Sequence, residues 1–287
     1  MRKYVLSTIA AAVALCASAS AQTITHDFNN QTTFQNNFTT VGSTFYNTTG
    51  GLSDSGSLSG SGGASQTVWY NPTITLTAGG DITLSAYFLA RVANSINNGS
   101  PSPAGGDSMR LGIANAKTAE MSANGGTSFV GFGIEDVNIA EGTTSRLVAV
   151  RRETNPFNTV VTLDANGASP FSLTNNSWYF LTTTITKSAT TTGEFSLIGS
   201  LFNSSSTGVV GDLVTSATAT TITGANTVYG VNDIFAGVGG YSQNPNGGVT
   251  RIDNFTSPIP EPSTVAMLLG GTAALLGFRR VRQKPPA

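Results

Sequence analysis

Few residues in this chain are equipped for chemistry, and their spacing argues against most reactions. There is one histidine, His26, and one cysteine, Cys16. A serine nucleophile needs an imidazole beside it as general base. His26 falls within a few residues of the mature N-terminus expected below, so a surface position is predicted for it. Paired carboxylates are the other route. Retaining glycoside hydrolysis needs two carboxyl groups about 5–5.5 Å apart, which on one strand means acids at even spacing on a shared face. Glu135 and Asp136 are adjacent, and Glu141 follows an expected turn. They read as solvated loop acids. Arg151, Arg152 and Glu153 read as a strand end with a local ion pair of little energetic value. No catalytic residue is assigned. A glycoside hydrolase or lyase stands as the alternative to a non-enzymatic protein, and a passive structural surface protein as another.

Two kinds of binding chemistry remain. Asp27, Asn29, Asp253 and Asn254 offer hard oxygen ligands of the sort calcium takes. They fall on the first and last expected strands, which pair in many sandwiches, so Asp27 and Asp253 are candidates to tie the two together through a structural calcium. The competing reading is that Asp and Asn simply end strands there. Trp69, Tyr70, Trp178, Tyr179, Tyr229 and Tyr241 are candidate platforms for stacking sugars. Trp178 sits inside an apolar run and is expected in the core. Tyr241, in a Gly/Asn/Pro loop, is the best exposed candidate. Beyond calcium no cofactor is implied, because a chain with one cysteine forms neither an internal disulfide nor a cysteine-based metal site.

The two ends of the 287-residue chain are its most specific part. Arg2 and Lys3 precede an apolar stretch from Val5 to Ala17, and Ala19-Ser20-Ala21 matches the small-x-small pattern of signal peptidase. Residues 1–21 are read as a signal peptide, with the mature chain starting at Gln22. Leu15 stands before Cys16 where a lipid-attachment site wants a small residue. At the other end, Thr264 to Phe278 carries no charge. As a helix rising ~1.5 Å per residue it spans about 22 Å, short of the ~30 Å hydrocarbon core. Such a helix suits a transient membrane anchor. Four cations follow within six residues, among them Arg279, Arg280 and Arg282, and the positive-inside rule keeps them cytoplasmic.

Pro260-Glu261-Pro262-Ser263, a short apolar helix and an Arg-rich end together resemble the PEP-CTERM sorting signal. The resemblance implies that Pro260, Glu261, Pro262 and Ser263 are recognition elements for an exosortase, an integral-membrane cysteine transpeptidase. It further implies a Gram-negative host that makes extracellular polysaccharide, and a destination at the cell surface or in a biofilm matrix. The two prolines fit such a role because they fix an extended backbone poor in donors.

Between the ends, residues 22–257 are expected to form one domain, with 258–287 as the sorting tail. Charged residues are 10% of the chain, against about 25% for an average soluble protein. Polarity comes instead from Ser, Thr, Asn, Gln and 33 Gly, the mixture of threonine-bearing strands and glycine-bearing turns. The central domain keeps 8 of the 14 basic and 14 of the 15 acidic residues, so a nucleic-acid partner is excluded.

Alternation is plain at Ile82, Leu84, Ala86 and Phe88, at Met109, Leu111 and Ile113, and at Val130, Phe132 and Ile134. Trp178 to Ile185 and Phe195 to Phe202 read as a hairpin turning at Thr191-Thr192-Gly193. Val228 to Val238 and Val249 to Phe255 close the domain. No segment of helical period is expected, Asn29 to Thr49 is an edge strand or long loop, and ten to twelve short strands predict an all-β antiparallel sandwich or jelly roll. Asp27-Phe28-Asn29, Arg110-Leu111-Gly112-Ile113, Trp178-Tyr179 and Arg251-Ile252-Asp253-Asn254-Phe255, in that order, resemble the concanavalin A-like (laminin-G-like) jelly rolls. The Glu-x-Asp-x-x-Glu pattern of their laminarinase-like members is absent.

Overall fold

The computed structural model describes residues 23–42, 44–60, 65–90, 108–118, 121, 128–136, 145–153, 159–174, 176–241 and 251–258. Among them Ile24–Pro258 forms one compact unit. It is an all-β sandwich of two antiparallel sheets, each of eight strands.

The first sheet contains β1 (Thr23–His26), β3 (Thr44–Asn47), β4 (Ser57–Gly60), β7 (Asp81–Ala90), β12 (Ser177–Lys187), β13 (Phe195–Ser204), β14 (Val210–Ile222) and β16 (Arg251–Pro258). Its order is β14-β13-β12-β7-β16-β4-β3, with β1 also paired to β16. The second contains β2 (Phe38–Gly42), β5 (Ser65–Tyr70), β6 (Ile74–Thr75), β8 (Ser108–Ala114), β9 (Phe129–Asp136), β10 (Ser145–Glu153), β11 (Thr159–Asp164) and β15 (Asp233–Tyr241). Its order is β11-β10-β9-β8-β15-β5-β2, with β6 also paired to β15.

The period-2 pattern does the positioning. On β8 and β9, Met109, Leu111 and Ile113 face Ile134, Phe132 and Val130 in register, and all six are buried in the main core. The same core takes Leu84, Ala86 and Phe88 of β7 and Tyr179, Leu181 and Ile185 of β12. The sheets close tightly on Gly199, where an added Cβ would stand 2.2 Å from the Phe132 ring. β12 and β13 form the expected hairpin, with Gly193 at φ +75° in its turn.

The structure departs from the expected pattern in several places. Asn29 to Thr49 holds a helix, α1 (Gln31–Asn37), as well as β2 and β3. Asn30 caps α1 by accepting from the Thr33 N–H, and Phe34 is its one buried anchor. Val228 to Val238 is not a single strand: α2 (Asn226–Tyr229) precedes β15. β14, a long edge strand, has no clean apolar/polar alternation, and its pairing with β13 is broken by register shifts. Part of its open edge is covered: the Thr218 N–H donates to the Asn166 carbonyl at 2.7 Å and Asn166 Nδ2 to the Ala219 carbonyl at 3.0 Å. That blocks pairing with a foreign strand.

Candidate functional site

The candidate site lies where the domain begins and ends. The sequence places Asp27 just after β1 and Asp253 within β16, and the pairing of β1 with β16 brings the two regions together. Thr25 and Thr256 link their hydroxyls at 2.9 Å. A loop running from Thr49 to Gly56, with a 3-10 turn at Leu52–Asp54, folds over this seam. Asp253 is 0% exposed. One carboxylate oxygen accepts from the Leu52 N–H at 2.8 Å and the Ser55 hydroxyl at 2.7 Å, and the other from the Asn254 N–H at 2.7 Å. Burial pushes its carboxyl up to about 6. The three donors oppose that shift, and the negative charge of Asp27 adds to it.

Asp27 shares no hydrogen-bond donor with Asp253. It accepts from both the backbone N–H and the side-chain amide of Asn29, and Asn29 in turn accepts from the Gly56 N–H at 3.0 Å. Both ends of the domain therefore grip the same loop. The backbone is strained at this junction: Phe28, Ser53, Asp54 and Asn254 all have φ between 48° and 61°, a region costly for side-chain-bearing residues.

The expectation of a surface histidine is overturned. His26 is 8% exposed, held among Phe38 at 4.8 Å, Tyr70 at 4.7 Å and Phe255 at 6.4 Å between ring centroids. Its Nε2 has no hydrogen-bond partner. Burial drops its pKa to about 4, with Asp27 pulling the other way. Four strands, β1, β2, β5 and β16, supply this cage, which no local pattern reveals.

Glu135 is likewise no solvated loop acid. It lies on β9, buried, with one oxygen 2.8 Å from Arg110 and the other 3.3 Å from Arg146. Arg146 also pairs with Asp164. Arg110 is 2% exposed. Burial lowers its pKa, and the charge and hydrogen bond of Glu135 counter the shift, in a buried salt bridge that is structural. Glu153 is buried and accepts from the Ser128 hydroxyl and from the Thr227 N–H and hydroxyl. Of the candidate stacking residues, Trp69, Tyr70, Trp178 and Tyr179 are buried. Tyr229 packs on Phe195 at 5.9 Å and donates to the Ser188 carbonyl. The side chain of Tyr241 lies outside the described part.

So do the signal residues Ala19, Ala21 and Gln22, and the sorting residues Pro260, Glu261, Pro262, Ser263, Arg279, Arg280 and Arg282. Among the described residues no helix is long and apolar enough to cross a membrane. No group of three or more His, Cys, Asp or Glu side chains is gathered there as a metal cluster.

Fold and seam together define an all-β sandwich domain whose last strand, ending at Pro258, runs into the C-terminal tail. That tail, residues 258–283, matches the PEP-CTERM protein-sorting motif. A comparison with curated proteins finds no match. Among solved structures the chain is similar to legume-lectin jelly rolls. Basic winged bean lectin with Tn-antigen is 15% identical with a TM-score of 0.48, covering 82% of this chain and 98% of that one. Peanut lectin is 14% identical with a TM-score of 0.46, covering 83% and 98%. Arcelin-5 from Phaseolus vulgaris is 11% identical with a TM-score of 0.46, covering 83% and 97%.

Proposed function

We propose that the protein is a non-enzymatic component of the cell surface or extracellular matrix of a Gram-negative bacterium, sorted by an exosortase-type membrane transpeptidase and associated with extracellular polysaccharide. The sorting motif at 258–283 carries this reading, because it begins where the last strand of the sandwich ends. In this reading signal peptidase cuts after Ala19-Ser20-Ala21, so that Gln22 becomes the mature N-terminus. The tail holds the precursor in the inner membrane, with Arg279, Arg280 and Arg282 on the cytoplasmic side. The transpeptidase then acts near Pro260-Glu261-Pro262-Ser263.

A structural calcium at Asp27 and Asp253 belongs to the same reading. Among the described residues no basic side chain forms an ion pair with either carboxylate, and a buried carboxylate held at about 6 is short of positive charge. A hard cation beside it would supply that charge.

Intact-mass measurement of the native protein tests the sorting reading. The expected mass begins at Gln22 and ends near residue 262. A species retaining 264–287, or a lipid adduct on Cys16, would overturn it.

A further inference from the structure

The outer face of the first sheet has a composition that the seam and the core do not explain. Outward positions on β7, β12 and β13 line up in register: Tyr87, Phe180 and Phe202 form one row, and Thr83, Thr184 and Ile198 another. The aromatic row is half-buried. Its centroids lie 4.7 Å apart from Tyr87 to Phe180 and 6.3 Å from Phe180 to Phe202. Leu213 of β14 extends it and is 54% exposed, while Ile198 is 46% exposed. Thr83 and Thr184 join their hydroxyls at 2.9 Å across the strands. The one row between them carries Ser85, Thr182 and Ser200, of which Ser85 is buried. β7, β12 and β13 are described throughout, and their charged residues are Asp81, at one end of the face, and Lys187, which is buried.

We propose that this face is a docking surface for an extended, uncharged polysaccharide, which deepens the polysaccharide association proposed above and rests on it. A sugar ring presents apolar C–H faces and a rim of hydroxyls. The aromatic row and Leu213 meet the faces, and Thr182 and Ser200 of the row beside it meet the rim. Successive rows on one strand stand about 6.6–6.8 Å apart, so a chain lying along the aromatic row has the Thr182 and Ser200 hydroxyls along one side. Charge selects the class of ligand. A face that is neutral over three full strands offers a uronate-rich polymer no cation to pair with, and a neutral chain gives up no ionic hydration to bind it. Exposed apolar side chains in such a patch are a recognised mark of an interaction surface.

The test uses purified full-length protein, with insoluble cellulose in a sedimentation assay and soluble neutral β-glucan or alginate in affinity gels. Retention by the neutral glucans and none by alginate is expected. Phe180→Ala and Phe202→Ala should each weaken binding about three- to tenfold, the range for one aromatic contact. Thr184→Lys, which keeps the aromatics and adds a charge, should weaken it comparably. Unchanged melting temperatures will show that the variants are folded. Retention that none of the three variants alters overturns the face while sparing the polysaccharide reading. Retention by alginate but not by the neutral glucans overturns the proposed face alone, and retention by none of the three polymers overturns both. Dimers in sedimentation velocity that Phe202→Ala dissociates, without glucan retention, would make this an interface between copies and overturn the proposal.

Discussion

Replacing His26 with Phe should change how the domain responds to acid. The imidazole titrates at about 4 in the fold and near 6.5 when exposed. Its folded pKa is depressed, so the neutral ring is favoured in the fold. The stability it confers is complete above pH 6.5 and drains away as pH falls towards 4. Between pH 7 and pH 4.5 that loss is about 2.4 kcal/mol. Asp253 works in the opposite sense. Its folded pKa, about 6, stands above the ordinary 3.8, so burying its charge costs stability above pH 6 and the cost is relieved as pH falls towards 3.8. The return over the same interval is about 1.9 kcal/mol. In the native protein the two nearly cancel. Phe fits the ring cage of Phe38, Tyr70 and Phe255 and abandons no hydrogen bond at Nε2. The His26→Phe variant should therefore match the native protein at pH 7 and exceed it by about 2.4 kcal/mol at pH 4.5, roughly 5–10 °C in melting temperature for a domain of this size. Urea titrations at the two pH values measure the difference. An equal response to acid in both proteins would refute the burial of a neutral His26.

The seam and the tail give three further outcomes. Asp253→Ala leaves the Leu52 and Asn254 amides and the Ser55 hydroxyl without their acceptor, at about 1–3 kcal/mol for each buried group, and should release the Thr49–Gly56 loop to hydrogen exchange. If calcium is bound at Asp27 and Asp253, a hundredfold excess over its dissociation constant adds about 2.7 kcal/mol, and EDTA should lower the native melting point without moving that of Asp253→Ala. Equal native melting points in calcium and EDTA eliminate the ion. Replacing Arg279, Arg280 and Arg282 together with Ala should weaken cytoplasmic retention of the tail, which protease accessibility and surface labelling will read. Unchanged topology and display would remove the role given to them.

The sequence by itself determined the parts of this protein whose signal is local. The sorting motif is read from consecutive residues, and the comparison with family models places it at 258–283. The β12–β13 hairpin and the inward faces of β7, β8 and β9 follow from alternation, because a strand's period of two is written into its own residues. Other features needed partners far away in the chain. β14 is a strand because it pairs with β13, not because of its own pattern. Glu135 becomes a buried ion only when β8 and β10 bring Arg110 and Arg146 to it. His26 and Asp253 carry no local sign of burial, yet their titration is governed by residues from Phe38 to Phe255 that meet only in the closed sandwich. Burial depends on which strands become neighbours, and that is a property of the whole chain's pairing, which no window of sequence contains.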